Sequence, residues 1–314
     1  MTIDDAADEQ QPNGKHVNAN DENQTWVVEH ATQINTPVTA HAAAQKVADK
    51  HNWGAVTPNG GGSAVTFAAG PAFMRVVGAN ADTSGTLATA AFAAAALGCP
   101  APLQNFPEIV ELPEGVYEIE LYERIDIDPS RKPNMADLGA ALAALHAVDI
   151  SAANLRPQIR TAVSRKRVQH HDPAVRAQML SLFNDAERAL SESRGPLVFC
   201  HGDATTTNLV WDRQKAAFTF VDFEYSGLAP SAFDVASTAT GLLRFVDRQT
   251  SRAFIDSYRE AGGQFDPSDF AVLGGIRDLC GAADYSAAEK GTPRAATFQH
   301  RFNSFNDLFR STRW

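Results

Sequence analysis

Two hydrophobic periods share this chain, and the change from one to the other near residue 125 sets its organisation. Before that point short apolar segments read mostly as strands. Residues 64–67, a Gly70-Pro71 turn and residues 72–77 predict an antiparallel hairpin. Residues 109–112, the turn at 113–115 and residues 116–125 predict a second, with alternate positions apolar. Two helices are expected among them. One follows Pro37 through Val38, Ala42 and Val47; the other is the alanine-rich stretch 86–97, stopped by Gly98 and Pro100.

From Pro133 onward the helical period dominates. Leu138, Leu142 and Leu145 place one apolar stripe on a helix ending near His146. Asp172 as N-cap and Pro173 at the first helical position open another, with Val175, Met179, Leu182, Ala186 and Leu190 on its buried face. Residues 196–199 read as a short strand, and 209–211 with 218–221 as a hairpin around a polar turn. Helices are expected from there to the end, the last carrying Phe302, Phe305 and Phe309. The pattern predicts an α+β chain in three parts: an acidic tail over 1–24, a small antiparallel-sheet lobe over 25–125, and a larger, mostly helical lobe over 126–314. A connector near residues 123–128 joins the lobes.

Composition changes this picture little. The chain has 314 residues, 44% hydrophobic and 20% charged, which is ordinary globular material with room for two lobes. Of the net charge of −10, half comes from residues 1–24, where six acids face one lysine. The excess therefore speaks of solubility and a disordered tail rather than of a cationic partner. The absence of a basic stripe argues against nucleic acid, and no apolar run is long enough to cross a bilayer. Cys99, Cys200 and Cys280 lie far apart, as reduced thiols of a cytoplasmic protein would.

The chemistry is written in one stretch. His201-Gly-Asp-Ala-Thr-Thr-Thr-Asn208 sets an acid five positions before an amide, and Val221-Asp-Phe-Glu224 adds a second acid at the end of an apolar strand. Transfer of the terminal phosphoryl group of ATP needs such a set: one carboxylate to receive the acceptor hydroxyl, and oxygen ligands from separate loops to hold Mg²⁺. Asp203 fits the first role. Asn208 and Asp222 fit the second, one with a neutral oxygen and one with a charged oxygen. Taken singly, Asp203 and Asn208 are ordinary turn residues and Asp222 an ordinary strand-end cap.

These motifs, together with Phe233-Asp-Val-Ala236 and the helix at 138–146, resemble the aminoglycoside phosphotransferase and choline kinase group of protein-kinase-like enzymes. The resemblance spans most of residues 50–240 and is specific over 200–236. It implies a bilobal protein-kinase-like fold, with ATP and Mg²⁺ as cofactors and a small-molecule hydroxyl as acceptor. Asp203 would be the base, and Asn208 and Asp222 the metal ligands. His201 would orient the loop and Asp234 would brace it, although a carboxylate in a first helical turn also has a dipole to serve. Gly60, Gly61 and Gly62 would let backbone amides approach the phosphates, and the backbone of Glu123 and Ile125 would meet the adenine.

Arg75 departs from the pattern. Most relatives carry a lysine on this strand, usually paired with a glutamate on the next helix, yet residues 83–107 hold no acid. Arginine can grip phosphate with two donors without such a partner, and choline and ethanolamine kinases resemble this segment. An exposed strand arginine without a ligand is the plain alternative. Asp278, Asp284 and Tyr285 lie in helices that line the acceptor cleft of related enzymes. Two other functions remain open: a choline- or ethanolamine-kinase-like enzyme, and a nucleotide-binding pseudokinase, suggested by the missing glutamate. His146 reads as a helix-end cation and His170-His171 as a surface pair.

Overall fold

The computed structural model describes residues 37–59, 65–78 and 83–310. The glycine turn Gly60, Gly61 and Gly62 and the acidic segment 1–24 lie outside the described residues. The chain forms two compact units, one of residues 1–70, 74–79 and 109–119, the other of residues 71–73, 80–108 and 120–314.

In the first unit α1 (Pro37–Lys50) packs on β2 (Val65–Ala69). Its inward face is small, with Ala40, Ala43, Ala44 and Ala48 buried, so the helix comes close enough for His41 to meet Phe67 edge-on at 5.5 Å. Five strands form one sheet in the order β1 (Thr57–Pro58), β2, β3 (Ala72–Gly78), β5 (Gly115–Glu123) and β4 (Glu108–Leu112). Gly70 turns β2 into β3 with φ of 51°, and a side chain there would press on Trp53 at 3.1 Å. Arg75 stands half-buried on β3 between the buried Met74 and Val76.

The second unit is helical, with two short antiparallel ladders. In one, β6 (Leu197–Cys200) pairs with β9 (Gly227–Pro230); in the other, β7 (Leu209–Asp212) pairs with β8 (Ala217–Phe220). The alanine-rich helix α2 (Thr83–Leu97) belongs here rather than with the sheet. Its Ala90 and Ala93 enter a core with Leu138, Phe199 and Phe254, and Phe92 sits edge-on to Phe199 at 5.0 Å. Of the remaining helices, α3 (Met135–His146) opens on a reciprocal Asn134–Asp137 capping box, and α5 (Pro173–Glu192) on Asp172, whose carboxylate accepts from Ala174 N. The fully buried side chains of α5 are Met179, Phe183 and Ala186. Val175, Leu182 and Leu190 are only partly covered, so the buried stripe is rotated slightly from the expected one.

Between two apolar cores runs α6 (Ala232–Phe245), whose residues 232–241 are all buried. Phe233 and Ala236 face one core, Val235 and Ala239 the other. A helix covered on every side needs small residues and no free charge, and its one carboxylate, Asp234, is fully buried. The fold closes with α4 (Arg160–Lys166), α7 (Arg248–Glu260), α8 (Pro267–Ala283) and α9 (Pro293–Arg310). At Gly139, α3 meets α7 backbone to backbone: a Cβ there would lie 2.6 Å from Tyr258 N.

Candidate active site

The loop 201–208 leaves β6 and is fixed from below by α6. Asp234 accepts hydrogen bonds from His201 N at 2.6 Å and Gly202 N at 2.9 Å, one on each carboxylate oxygen. His146 Nε2 lies 3.3 Å from the same carboxylate, and its Nδ1 is 2.8 Å from the Tyr258 hydroxyl. Burial alone would raise the Asp234 carboxyl, but its hydrogen-bonding and electrostatic interactions, first with His146 and then with His201, outweigh it and hold the group low. His146, expected at a helix end where a cation suits the dipole, is thus a buried member of this network. One turn further along α6, Thr238 Oγ1 donates to Ala204 O at 2.6 Å.

Gly202 has φ of 84°, and a Cβ on it would fall 2.6 Å from Tyr225 O. Only glycine fits, and the contact presses the 201–208 loop against the segment that follows Asp222. His201 lies between Phe220 and Phe223, with ring centroids 4.8 and 4.9 Å away. Its Nε2 is 2.9 Å from Val221 O, and Asp203 N donates to its Nδ1 at 3.3 Å. Burial lowers its pKa more than Asp234 and Asp203 raise it, so the ring is neutral near pH 7 and donates through Nε2. The loop base is closed where Val221 N donates to Asn208 O at 2.9 Å.

These ties set Asp203 beside Asn208 and join Asn208 to Val221, the residue before Asp222. Asn208 Nδ2 donates to Asp203 O at 3.0 Å and approaches Asp203 Oδ2 at 3.4 Å, which turns its amide oxygen the other way. Asp222 is exposed and has φ of 65°, the left-handed region that aspartate tolerates better than most residues. Asn208 and Asp222 therefore offer a neutral and an anionic oxygen from neighbouring loops, a donor set suited to a hard divalent cation.

Two arginines that no motif marks complete the site. Arg160 Nη1 donates to Asp203 Oδ1 at 2.5 Å and to Gly202 O at 2.7 Å; Arg277 Nη1 reaches the same Oδ1 at 3.3 Å. Burial would raise the Asp203 carboxyl, but these guanidiniums prevail and keep it ionised, well below the ordinary carboxylate range. Arg160 follows a polar stretch with no periodicity, and Arg277 sits in an apolar helix, so neither carried a sequence signal.

The other expected residues lie as follows. Glu123 N donates to Ala101 O and Arg124 N to Pro71 O, while Ile125 N–H meets no backbone acceptor among the described residues. Asp278 is buried and pairs with Arg244 at 2.9 Å, and Asp284 pairs with Arg167 at 2.9 Å. Both carboxylates are thus occupied. The Tyr285 ring receives the Arg301 guanidinium at 4.6 Å. His170 stacks on His171 and on Phe298.

Known proteins resemble this chain in sequence and in fold. The model of the phosphotransferase enzyme family (APH) matches residues 76–273. Ethanolamine kinase 2 of Mus musculus is 31% identical over 80 residues, 23% of this chain and 21% of that kinase. The chain thus matches only about a fifth of the length of that curated relative. The microcompartment-associated aminopropanol kinase superposes with a TM-score of 0.65 at 13% identity, covering 86% of this chain and 97% of that one. The amicoumacin kinase hAmiN, solved with AMP-PNP, Ca²⁺ and Ami, gives 0.64 at 13% identity over 86% and 95%. At such identities these likenesses establish the fold, which is kinase-like.

Proposed function

The chain belongs to the phosphotransferase enzyme family, and on that premise we propose that it transfers the γ-phosphoryl group of ATP to the hydroxyl of a small molecule. The observation that carries this reading is the joining of Asp203, Asn208 and the Val221–Asp222 loop end by short hydrogen bonds on a buried brace. The ionised Asp203 would accept a hydrogen bond from the acceptor hydroxyl and orient its lone pair toward phosphorus. As the new O–P bond forms and the bridge to the β-phosphate breaks, the hydroxyl proton passes to Asp203 and ADP leaves. A carboxylate held this low is a weak base. That suits a loose transition state, in which orientation matters more than basicity.

A divalent cation belongs to this family's chemistry, and hAmiN was solved with Ca²⁺ beside AMP-PNP. We assign Mg²⁺ here, held by the Asn208 side-chain oxygen and the Asp222 carboxylate. When bound it neutralises charge on the phosphate oxygens. Arg75 and the Gly60–Gly61–Gly62 turn are assigned to the ATP phosphates, and the backbone of Glu123 and Ile125 to adenine. His201 and Asp234 are assigned to holding the loop. No helix among the described residues is long and apolar enough to cross a membrane, and the three cysteines are free and buried, in keeping with a cytoplasmic enzyme.

The test is Asp203→Asn. ADP formation in the presence of hydroxyl acceptors should fall by roughly 10³-fold or more, the scale on which removal of a catalytic carboxylate acts. Binding of Mg·ATP, followed by calorimetry, should persist. Unchanged turnover in a folded variant would remove Asp203 from the chemistry and the proposal with it.

A further inference from the structure

Two guanidiniums meet the catalytic carboxylate and a third lies behind them, where one would have sufficed to answer its charge. Arg160 from α4 already binds Asp203 Oδ1 at 2.5 Å. Arg277 from α8 adds a longer contact to the same oxygen, and its remaining donors make no hydrogen bond among the described residues. Arg301 from α9 is near enough to repel Arg277 electrostatically. Among the described residues the carboxylates that act on Arg277 are Asp203 and Asp278, and Asp278 is already matched by Arg244. Arg167 is answered by Asp284 and lies within electrostatic reach of Glu224, so it adds nothing to the excess. Positive charge is left over.

The fold makes room for this excess. Gly241 lies inside α6, and a Cβ on it would fall 2.6 Å from Arg277 Nε. Gly281 lies inside α8, where a Cβ would fall 2.8 Å from Arg301 Nη1. Glycine is a poor residue inside a helix, and at both positions it opens a notch that seats a guanidinium. Arg301 then rests on the Tyr285 and Phe245 rings, 4.6 and 5.4 Å away. Arg277 is held in a costly state. Burial lowers its pKa most, Asp203 draws it back, and repulsion from Arg160 and Arg301 lowers it again. An anion would relieve that state.

We propose that the acceptor carries an oxyanion, a carboxylate or a phosphate, beside its reactive hydroxyl, and that Arg277 and Arg160 bind it. This rests on the phosphotransferase reading above. The two oxygens of Asp203 separate the partners. Oδ2 faces Asn208, which is assigned to the metal and so to the nucleotide side, while Oδ1 faces the arginines. The acceptor hydroxyl meets the carboxylate, and its oxyanion takes the guanidinium donors that Asp203 leaves unused. A cationic amino alcohol or aminoglycoside would bring like charge to the same place.

The test measures ADP release, with products checked by mass, for three sets of hydroxyl compounds. D-glycerate and ribose 5-phosphate are anionic and separate carboxylate from phosphate; glycerol and ribose are neutral; ethanolamine, choline and kanamycin are cationic. The expected result is the highest kcat/KM in the anionic set. Arg277→Gln should then lower it by roughly 10- to 100-fold, the scale of one charge-assisted hydrogen bond. The ATP KM should stay within about twofold, and Arg277→Lys should restore part of the loss. Equal or better turnover of the cationic set overturns the inference and leaves the phosphotransferase reading intact. An ATP KM that rises as the acceptor constant falls overturns it too, by giving the arginines to the nucleotide. ADP from none of the three sets, with Mg·ATP bound, overturns both. The wild-type ranking decides the matter even where Arg277→Gln does not fold.

Discussion

Replacing Asp234 with alanine tests whether this carboxylate braces the loop or only complements a helix dipole. The two roles differ in magnitude. A first-turn carboxylate near a helix N-terminus contributes about 0.3–1 kcal/mol. The observed Asp234 is fully buried and receives His201 N at 2.6 Å and Gly202 N at 2.9 Å, with His146 Nε2 at 3.3 Å. Removing it leaves two buried amides without their acceptor, each costing about 1–3 kcal/mol, offset in part by no longer burying a charge. A net loss of about 3–5 kcal/mol follows, the range seen when one partner of a buried polar set is deleted. Domains of ordinary stability survive such a loss. Urea unfolding of wild type and Asp234→Ala gives the difference directly. The folded variant should also lose roughly 100-fold in kcat, because the freed amides are those that aim Asp203. A cost under about 1 kcal/mol with kcat preserved would show that the helix dipole is all that Asp234 serves.

Two further outcomes follow from the same network. Gly202→Ala forces a side chain into the left-handed region and within 2.6 Å of Tyr225 O. It should cost at least about 2 kcal/mol of unfolding free energy and detach the loop, whereas a wild-type melting curve would show that the loop yields freely. The pH dependence of stability should carry the mark of Asp234, which faces His146, His201 and Cys200. Burial raises its pKa, and its partners more than reverse this, so the folded value lies below the unfolded one. The stabilisation is then complete above about pH 4 and lost as pH falls through the folded value. The free-energy gap between wild type and Asp234→Asn should be flat from about pH 5 to 7 and shrink below about pH 4; a gap that widens in acid would contradict the sign.

What the sequence revealed depended on how far apart the cooperating residues lie. Asp203, Asn208 and Asp222 stand within twenty positions, so their spacing alone marks a site. Asp172 and Pro173 announce α5 because capping is local. Strand β9 went unread because its first and last residues, Gly227 and Pro230, are both poor strand formers; its pairing with β6 comes from a partner about thirty residues earlier. Helix α4 went unread because seven mostly polar residues show no period. Arg160 and Arg277 lie 43 and 74 residues from the aspartate they touch, and only folding makes them neighbours. His146 showed only as a helix-end residue, because its hydroxyl partner Tyr258 lies 112 residues further along the chain. Asp278 and Asp284 looked available for a ligand, and the partners that occupy them, Arg244 and Arg167, come from other helices.

At Gly139 one helix meets the backbone of the other, and at His146 and Tyr258 the same two helices share a hydrogen bond. Asp234 rests on that histidine, and the loop amides rest on Asp234. Asp203 therefore inherits its position from a seam that closes on a glycine with no side chain to spare. Any enlargement of residue 139 would act at a distance, prying the helices apart and slackening a carboxylate it never contacts.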